Sequence, residues 1–152
     1  MNDQICVAID GMGGDKAPNM IIGGINLAAQ AHKDVKFLIY GDESKIVPLM
    51  EGFPTLGPNC EIRHTADSVK NDDKPTTALR TAKNSSMRLA IDAVANGEAS
   101  AIISAGNTGA LMAMATIVLK TLPGISRPAI ATSFPSQTGE CVMLDLGANI
   151  EC

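Results

Sequence analysis

Short apolar runs that stop abruptly at loops of small residues constrain this chain more than any other feature. Residues 4–9 (QICVAI) form such a run, rich in β-branched side chains, and it ends at Asp10 and a glycine cluster. Residues 35–40 (VKFLIY) form a second, ending at Gly41-Asp42, and residues 60–64 a weaker third. Residues 99–103 form a fourth, followed by the turn Ser104-Ala105-Gly106-Asn107-Thr108-Gly109. Runs of this length, apolar without alternation, read as strands covered on both faces. Helical stretches separate them. Residues 19–31 (NMIIGGINLAAQA) follow Pro18, which suits the first turn of a helix. Gly23 and Gly24 inside that helix lower its propensity by ~1 kcal/mol each relative to Ala, so close packing on a strand is expected there. Residues 43–51 allow only a short helix, because Pro48 interrupts it.

From residue 76 to residue 95 the apolar positions Ala78, Leu79, Ala82, Met87, Ala90, Ile91 and Val94 recur near the 3.6 period, predicting one continuous helix that Asn96-Gly97 stops. Residues 110–121 predict the next helix, ended by Leu122-Pro123-Gly124. Residues 128–132 and 141–146 predict two more strands joined by a polar, glycine-containing turn. Strand–helix alternation of this kind specifies an α/β fold with right-handed crossovers and a mostly parallel sheet. The chain then runs into Gly147-Ala148-Asn149 with no helix to cover the last strand, which predicts a truncated domain spanning residues 1–152.

Composition narrows the function classes. Hydrophobic residues make up 45% of the chain, yet only three Phe, one Tyr and no Trp are among them. The core must come from Ala, Val, Ile, Leu and Met, and no aromatic platform for single-stranded nucleic acid is present. Twelve Lys and Arg against sixteen Asp and Glu give a net charge of −4, with no basic run, so nucleic acid is not an expected partner. A small anion remains possible, because it needs a few aimed donors and no basic surface. Cys6, Cys60, Cys141 and Cys152 contain no C-x-x-C pair, and no His stands at zinc-ligand spacing from them. They give no zinc-site pattern. With no secretory leader at the start, the expected location is the cytoplasm.

Three loops could carry chemistry. The first is Asp10-Gly11-Met12-Gly13-Gly14-Asp15-Lys16-Ala17-Pro18, whose glycines let backbone approach a ligand while the following helix directs its N-terminus at the loop. It matches neither the P-loop nor the dinucleotide pattern, since Lys16 occupies the sixth position of G-x-G-x-x-G. A tight turn with two solvated carboxylates explains it about equally well. The second is residues 104–109, which can offer amides to an anion or to a thioester oxygen; taken alone, it also reads as an ordinary helix cap by Asn107 or Thr108. The third is Lys74-Pro75 with Arg80, Lys83, Ser85, Ser86 and Arg88, a cationic helical face or a solvated one. Two serines in mid-helix are unexpected there. His32, His64, Cys6 and Cys141 carry no signal of catalysis.

In combination these strings resemble the PlsX phosphate acyltransferases. Asp10-x-Met12-Gly13-Gly14-Asp15-x-Ala17-Pro18 is similar to the first block of that family. Lys74-Pro75 with Ala78-Leu79-Arg80 and Ser85-Ser86-Met87 is similar to the second, and Ser104-Ala105-Gly106-Asn107-Thr108-Gly109-Ala110 to the third. Leu122-Pro123-Gly124-Ile125 with Arg127-Pro128-Ala129-Ile130, then Asp145-Leu146-Gly147-Ala148-Asn149, follow in family order. The family usually has Ala where this chain has Gly11, a change expected to loosen the loop, and its members are about twice as long.

The resemblance implies a three-layer α/β/α fold similar to the phosphotransacetylases and isocitrate dehydrogenases. It implies transfer of a fatty acyl group from acyl carrier protein to inorganic phosphate, giving acyl phosphate for phospholipid synthesis, without a cofactor. It also implies a homodimer in the full-length protein, with peripheral membrane association through the part absent here. In this reading Lys74, Arg80, Asn107 and Thr108 are catalytic. Asp10, Gly13, Gly14, Asp15, Ser85, Ser104, Gly106, Asp145 and Asn149 bind substrate. Two other readings stand beside it. One is a non-catalytic module that docks acidic acyl carrier protein through Lys33, Lys36, Lys45 or Lys70. The other is a phosphotransacetylase or dehydrogenase relative acting on another small anion or thioester.

Overall fold

The computed structural model describes residues 4–145. Four parallel strands form the sheet: β1 (Cys6–Asp10), β2 (Lys36–Gly41), β3 (Cys60–His64) and β4 (Ala101–Ile103). Their order is β3-β2-β1-β4, with Ile9 level with Ile39 on one side and Ile103 on the other. The helices are α1 (Asn19–Ala31), α2 (Glu43–Met50), α3 (Pro75–Thr81), α4 (Ser86–Ala95) and α5 (Thr108–Val118), with a 3-10 turn at Pro54–Asn59.

The period of two along a strand explains the apolar runs. Ile9, Phe37 and Ile39 face one way and pack with Ile22, Ile25 and Ala29 of α1, Ile46 of α2 and Leu56. Ala8, Leu38 and Tyr40 face the other way and pack with Ala90 and Ala93 of α4. A further core joins Ala78 of α3, Met87 and Ile91 of α4, and Ala110 and Met114 of α5. Helices thus cover both faces of the sheet, which makes it a three-layer α/β/α fold.

The expected helix over residues 76–95 is two helices. Ser85, fully buried, breaks it: its hydroxyl donates to the Ala82 carbonyl (2.7 Å) and accepts from the Arg88 N–H (3.3 Å) as the N-cap of α4. Lys83 and Asn84 lie in the break, so the cationic helical face expected from Arg80 and Lys83 does not form. The first serine of the pair that looked out of place in mid-helix is a cap, where serine is favoured. Pro48 does not stop α2, which runs through to Met50. Nor do Gly23 and Gly24 make close contacts; a Cβ at either would meet nothing within 4 Å. Gly11 is tightly placed, since a Cβ there would lie 2.9 Å from the Tyr40 carbonyl, and so it does not loosen its loop.

Residues 120–152 form a separate unit. Its described part is an antiparallel hairpin of β5 (Ala131–Pro135) and β6 (Glu140–Leu144), with Ala131 opposite Leu144. The first of these strands begins three residues later than the expected 128–132, and the pair has a sheet of its own. No helix among the described residues is long and apolar enough to cross a membrane.

Candidate active site

The chain leaves β1 for β2 and then β3 on one side, whereas β4 adds on the other. The carboxyl ends of β1 and β4 therefore flank a topological switch point, where open parallel sheets bind ligands. The Asp10 and Ser104 loops leave the sheet there.

Asp10 is buried and ties these loops together. Its carboxylate accepts from Ser86 Oγ (2.5 Å), Ser104 Oγ (2.7 Å) and the Met12 N–H (3.3 Å). Ser104 Oγ in turn accepts from the Gly106 N–H at 3.1 Å. A serine hydroxyl has a single proton. Both hydroxyls are therefore engaged with Asp10 and neither donates to an anion in this arrangement. Asp10 and Ser104, both expected among the substrate-binding residues, hold the loops together. Ser86, which the sequence reading left without a role, completes the knot.

Gly13 and Gly14 are required by loop-on-loop packing. A Cβ at Gly13 would meet the Asp10 carboxylate and come within 2.9 Å of both the Gly106 nitrogen and Ser104 Oγ. Gly14 has φ +103° and lies against the Ala105 carbonyl. Among the described residues, the N–H groups of Gly14, Asp15 and Lys16 donate to no other group of the chain. The first N–H groups of α5, at Thr108 and Gly109, are unpaired as at any helix start.

Asn107 links this pair of loops to the third. Its side-chain oxygen caps α5 by accepting from the Ala110 N–H at 2.9 Å. Its amide nitrogen donates to the carbonyls of Lys70 (3.3 Å), Asn71 (3.1 Å) and Asp73 (2.9 Å). Asn71 also donates to Asp15, and Pro75 abuts Gly109. The loop before α3 is thereby fastened to both others. Since Asn107 is fully engaged, Thr108 and Gly109 offer the free backbone donors of that loop.

Lys74 is the N-cap residue of α3, and its exposed side chain emerges beside Pro75. Arg80 lies in the last turn of α3 and is also exposed. Neither forms an ion pair among the described residues, and no hydrogen bond there joins the Arg80 side chain to the three loops. Lys36 is paired with Glu61, and Lys45 with Asp42. Ser85 is committed to its cap. Asp145 belongs to the hairpin unit, and Asn149 lies outside the described residues.

Among the described residues, no hydrogen bond joins a thiol or imidazole to these three loops. Burial pushes the Cys60 thiol up to about 11 and raises Cys6 as well, away from the thiolate form that reacts. His64 Nδ1 accepts from the Glu43 N–H at the start of α2. Among the described residues no cluster of three His, Cys, Asp or Glu could hold a metal ion.

Residues 5–152 match the family described as fatty acid synthesis protein. The whole chain is 58% identical to a phosphate acyltransferase of Rhodospirillum centenum, covering 43% of that protein. It is 53% identical to the phosphate acyltransferase of Rhodospirillum rubrum, covering 44% of it. Over 151 residues it is 54% identical to that of Parvibaculum lavamentivorans, covering 42%. The chain thus spans less than half the length of these relatives, and it is a member of the fatty acid synthesis protein family.

Proposed function

We propose that this chain contributes the phosphate-binding half-site of an acyltransferase that moves a fatty acyl group from acyl carrier protein to inorganic phosphate. One observation carries the reading. At the β1/β4 switch point, three loops meet with unpaired backbone N–H groups at Gly14–Lys16 and Thr108–Gly109, and exposed Lys74 directly precedes Pro75, which abuts Gly109. Such a setting suits an oxyanion. The names of the relatives supply the acyl chemistry.

Phosphate is already an oxygen nucleophile and needs no activated side chain. One of its oxygens attacks the thioester carbon, the carbonyl becomes an oxyanion, and the C–S bond breaks to release the carrier thiolate, which takes up a proton. The protein's tasks are to hold the dianion ~3 Å from that carbon and to stabilise the oxyanion with aimed donors. Lys74 and the Gly14–Lys16 amides serve the phosphate, with Arg80 further along α3. The Thr108 and Gly109 amides face the developing charge, and Asn107 holds them in register with Lys74. In the full-length protein we place this reaction in the cytoplasm, in a homodimer with peripheral membrane contact.

The test is acyl phosphate formation, trapped with hydroxylamine, from an acylated carrier protein and phosphate in a protein of the relatives' length that contains this chain. Lys74→Ala raises the phosphate KM about tenfold, the equivalent of 1.4 kcal/mol, with a smaller rise for Arg80→Ala. Parental phosphate dependence in both variants rejects the assignment. Carrier capture by pull-down without turnover would favour the non-catalytic docking module, and equal turnover of coenzyme A thioesters the phosphotransacetylase-like reading.

A further inference from the structure

An apolar groove lies between α1 and the β1/β4 side of the sheet, with a volume of about 240 Å³. Ile9, Ile21, Gly24, Ile25, Ile103 and Ala105 are among its lining residues, and every lining side chain is apolar. Ile9 precedes Asp10 and Ala105 follows Ser104, so one end of the groove opens against the Asp10 knot. From Met20 to Ala28 it follows nine residues of α1, a rise of ~12 Å over eight steps of 1.5 Å. Ile103 and Met20 on its rim are 57% and 48% exposed.

Gly24 is the telling residue. A glycine weakens a helix interior, and nothing packs where its Cβ would stand. Close helix–sheet approach therefore does not account for it. A side chain at this position would occupy the groove, whereas glycine leaves it open.

We propose that this groove binds the alkyl chain of the acyl substrate, with Gly24 as a specificity-determining residue for chain length. The proposal rests on the acyl-transfer reading for its ligand. The groove supplies an apolar trough continuous with the loops that would hold the reacting carbonyl, and it contains no polar side chain to reject a linear hydrocarbon.

The experiment titrates butyrate, octanoate and decanoate into the 152-residue chain while recording isoleucine methyl NMR spectra. Saturable shifts are expected at Ile9, Ile21, Ile25 and Ile103 but not at Ile46 or Ile91, with affinity rising about fourfold per added methylene. Gly24→Leu weakens decanoate binding at least tenfold, while Gly23→Ala, whose position does not line the groove, binds as the parent does. Length-independent binding, shifts away from these four methyls, or parental affinity in Gly24→Leu overturns the proposal. If Gly24→Leu fails to fold, the parent's methyl pattern alone decides. A groove already filled by another segment of the chain gives no shifts and also overturns it. Absence of acyl phosphate formation in the trapping assay, with decanoate still bound, would instead reject the parent reading of the site.

Discussion

The parallel sheet and the β5–β6 hairpin both consist of short apolar strands, but they differ in how those strands are completed. Ala8 and Ile9 of β1 point to opposite faces and are buried under different helices. Every residue of β6 is exposed, with Val142 and Leu144 each at 67%. Parallel pairing needs a crossover, and the crossover brings a helix to cover each face. A hairpin closes through a tight turn, here with the Ser136 N–H donating to the Gly139 carbonyl at 2.7 Å, and demands no such cover. Positional sensitivity should therefore be high in the first region and low in the second.

The largest effect is expected at Asp10. Asp10→Ala removes the acceptor for two hydroxyls and one amide in a buried setting, which should destabilise the parallel unit by about 3 kcal/mol. Urea denaturation followed by tyrosine fluorescence reads this directly, since Tyr40 is the chain's single Tyr and sits in that unit. Amide resonances of residues 131–144 should stay in place. A loss below about 1 kcal/mol would mean that the knot is replaceable by water.

Ser85→Ala should cost about 1 kcal/mol through loss of the α4 cap, with the α4 N-terminus exchanging amide hydrogens faster. Unchanged exchange there would show that the break between α3 and α4 is set by Thr65, which donates to the Asn84 carbonyl at 2.6 Å. In the hairpin, Val142→Thr should change stability by no more than about 0.5 kcal/mol. A larger loss would mean that β6 is covered in solution. The smallest effect separates the regions by chemistry: at pH 8 a maleimide should label exposed Cys141 before Cys60, whose thiol burial holds near 11. Equal rates would contradict the burial of Cys60.

Much of the parallel unit was legible because its signals are local. The 13 residues of α1 stand where the sequence predicts them, and β1, β2 and β4 follow from apolar runs that end at glycine or serine loops, with β3 the weaker signal. The break between α3 and α4 was hidden because apolar residues keep the helical period across it, while the Ser85 cap interrupts the backbone. The identity of the loops at the site was also readable, but the partners within them were not. Ser86 and Ser104 lie 76 and 94 residues from Asp10, and no periodicity encodes such a meeting. The serine pair did leave a trace, as a residue type out of place in a helix interior. Glycines 13 and 14 carried the opposite ambiguity: a backbone bare enough to admit a ligand is equally bare enough to admit another loop, which is what the structure places there.

Asn107 has a consequence for how the chain can change. One planar group fixes the start of α5 with its oxygen and gathers three carbonyls of the segment carrying Lys70 and Lys74 with its nitrogen. A displacement of either part is passed to the other through a single rigid amide, so the backbone leading into Lys74 and the open amides of α5 move together. Substitutions that shift α5 would carry the segment before α3 with it, preserving the spacing between the two loops while altering where they point.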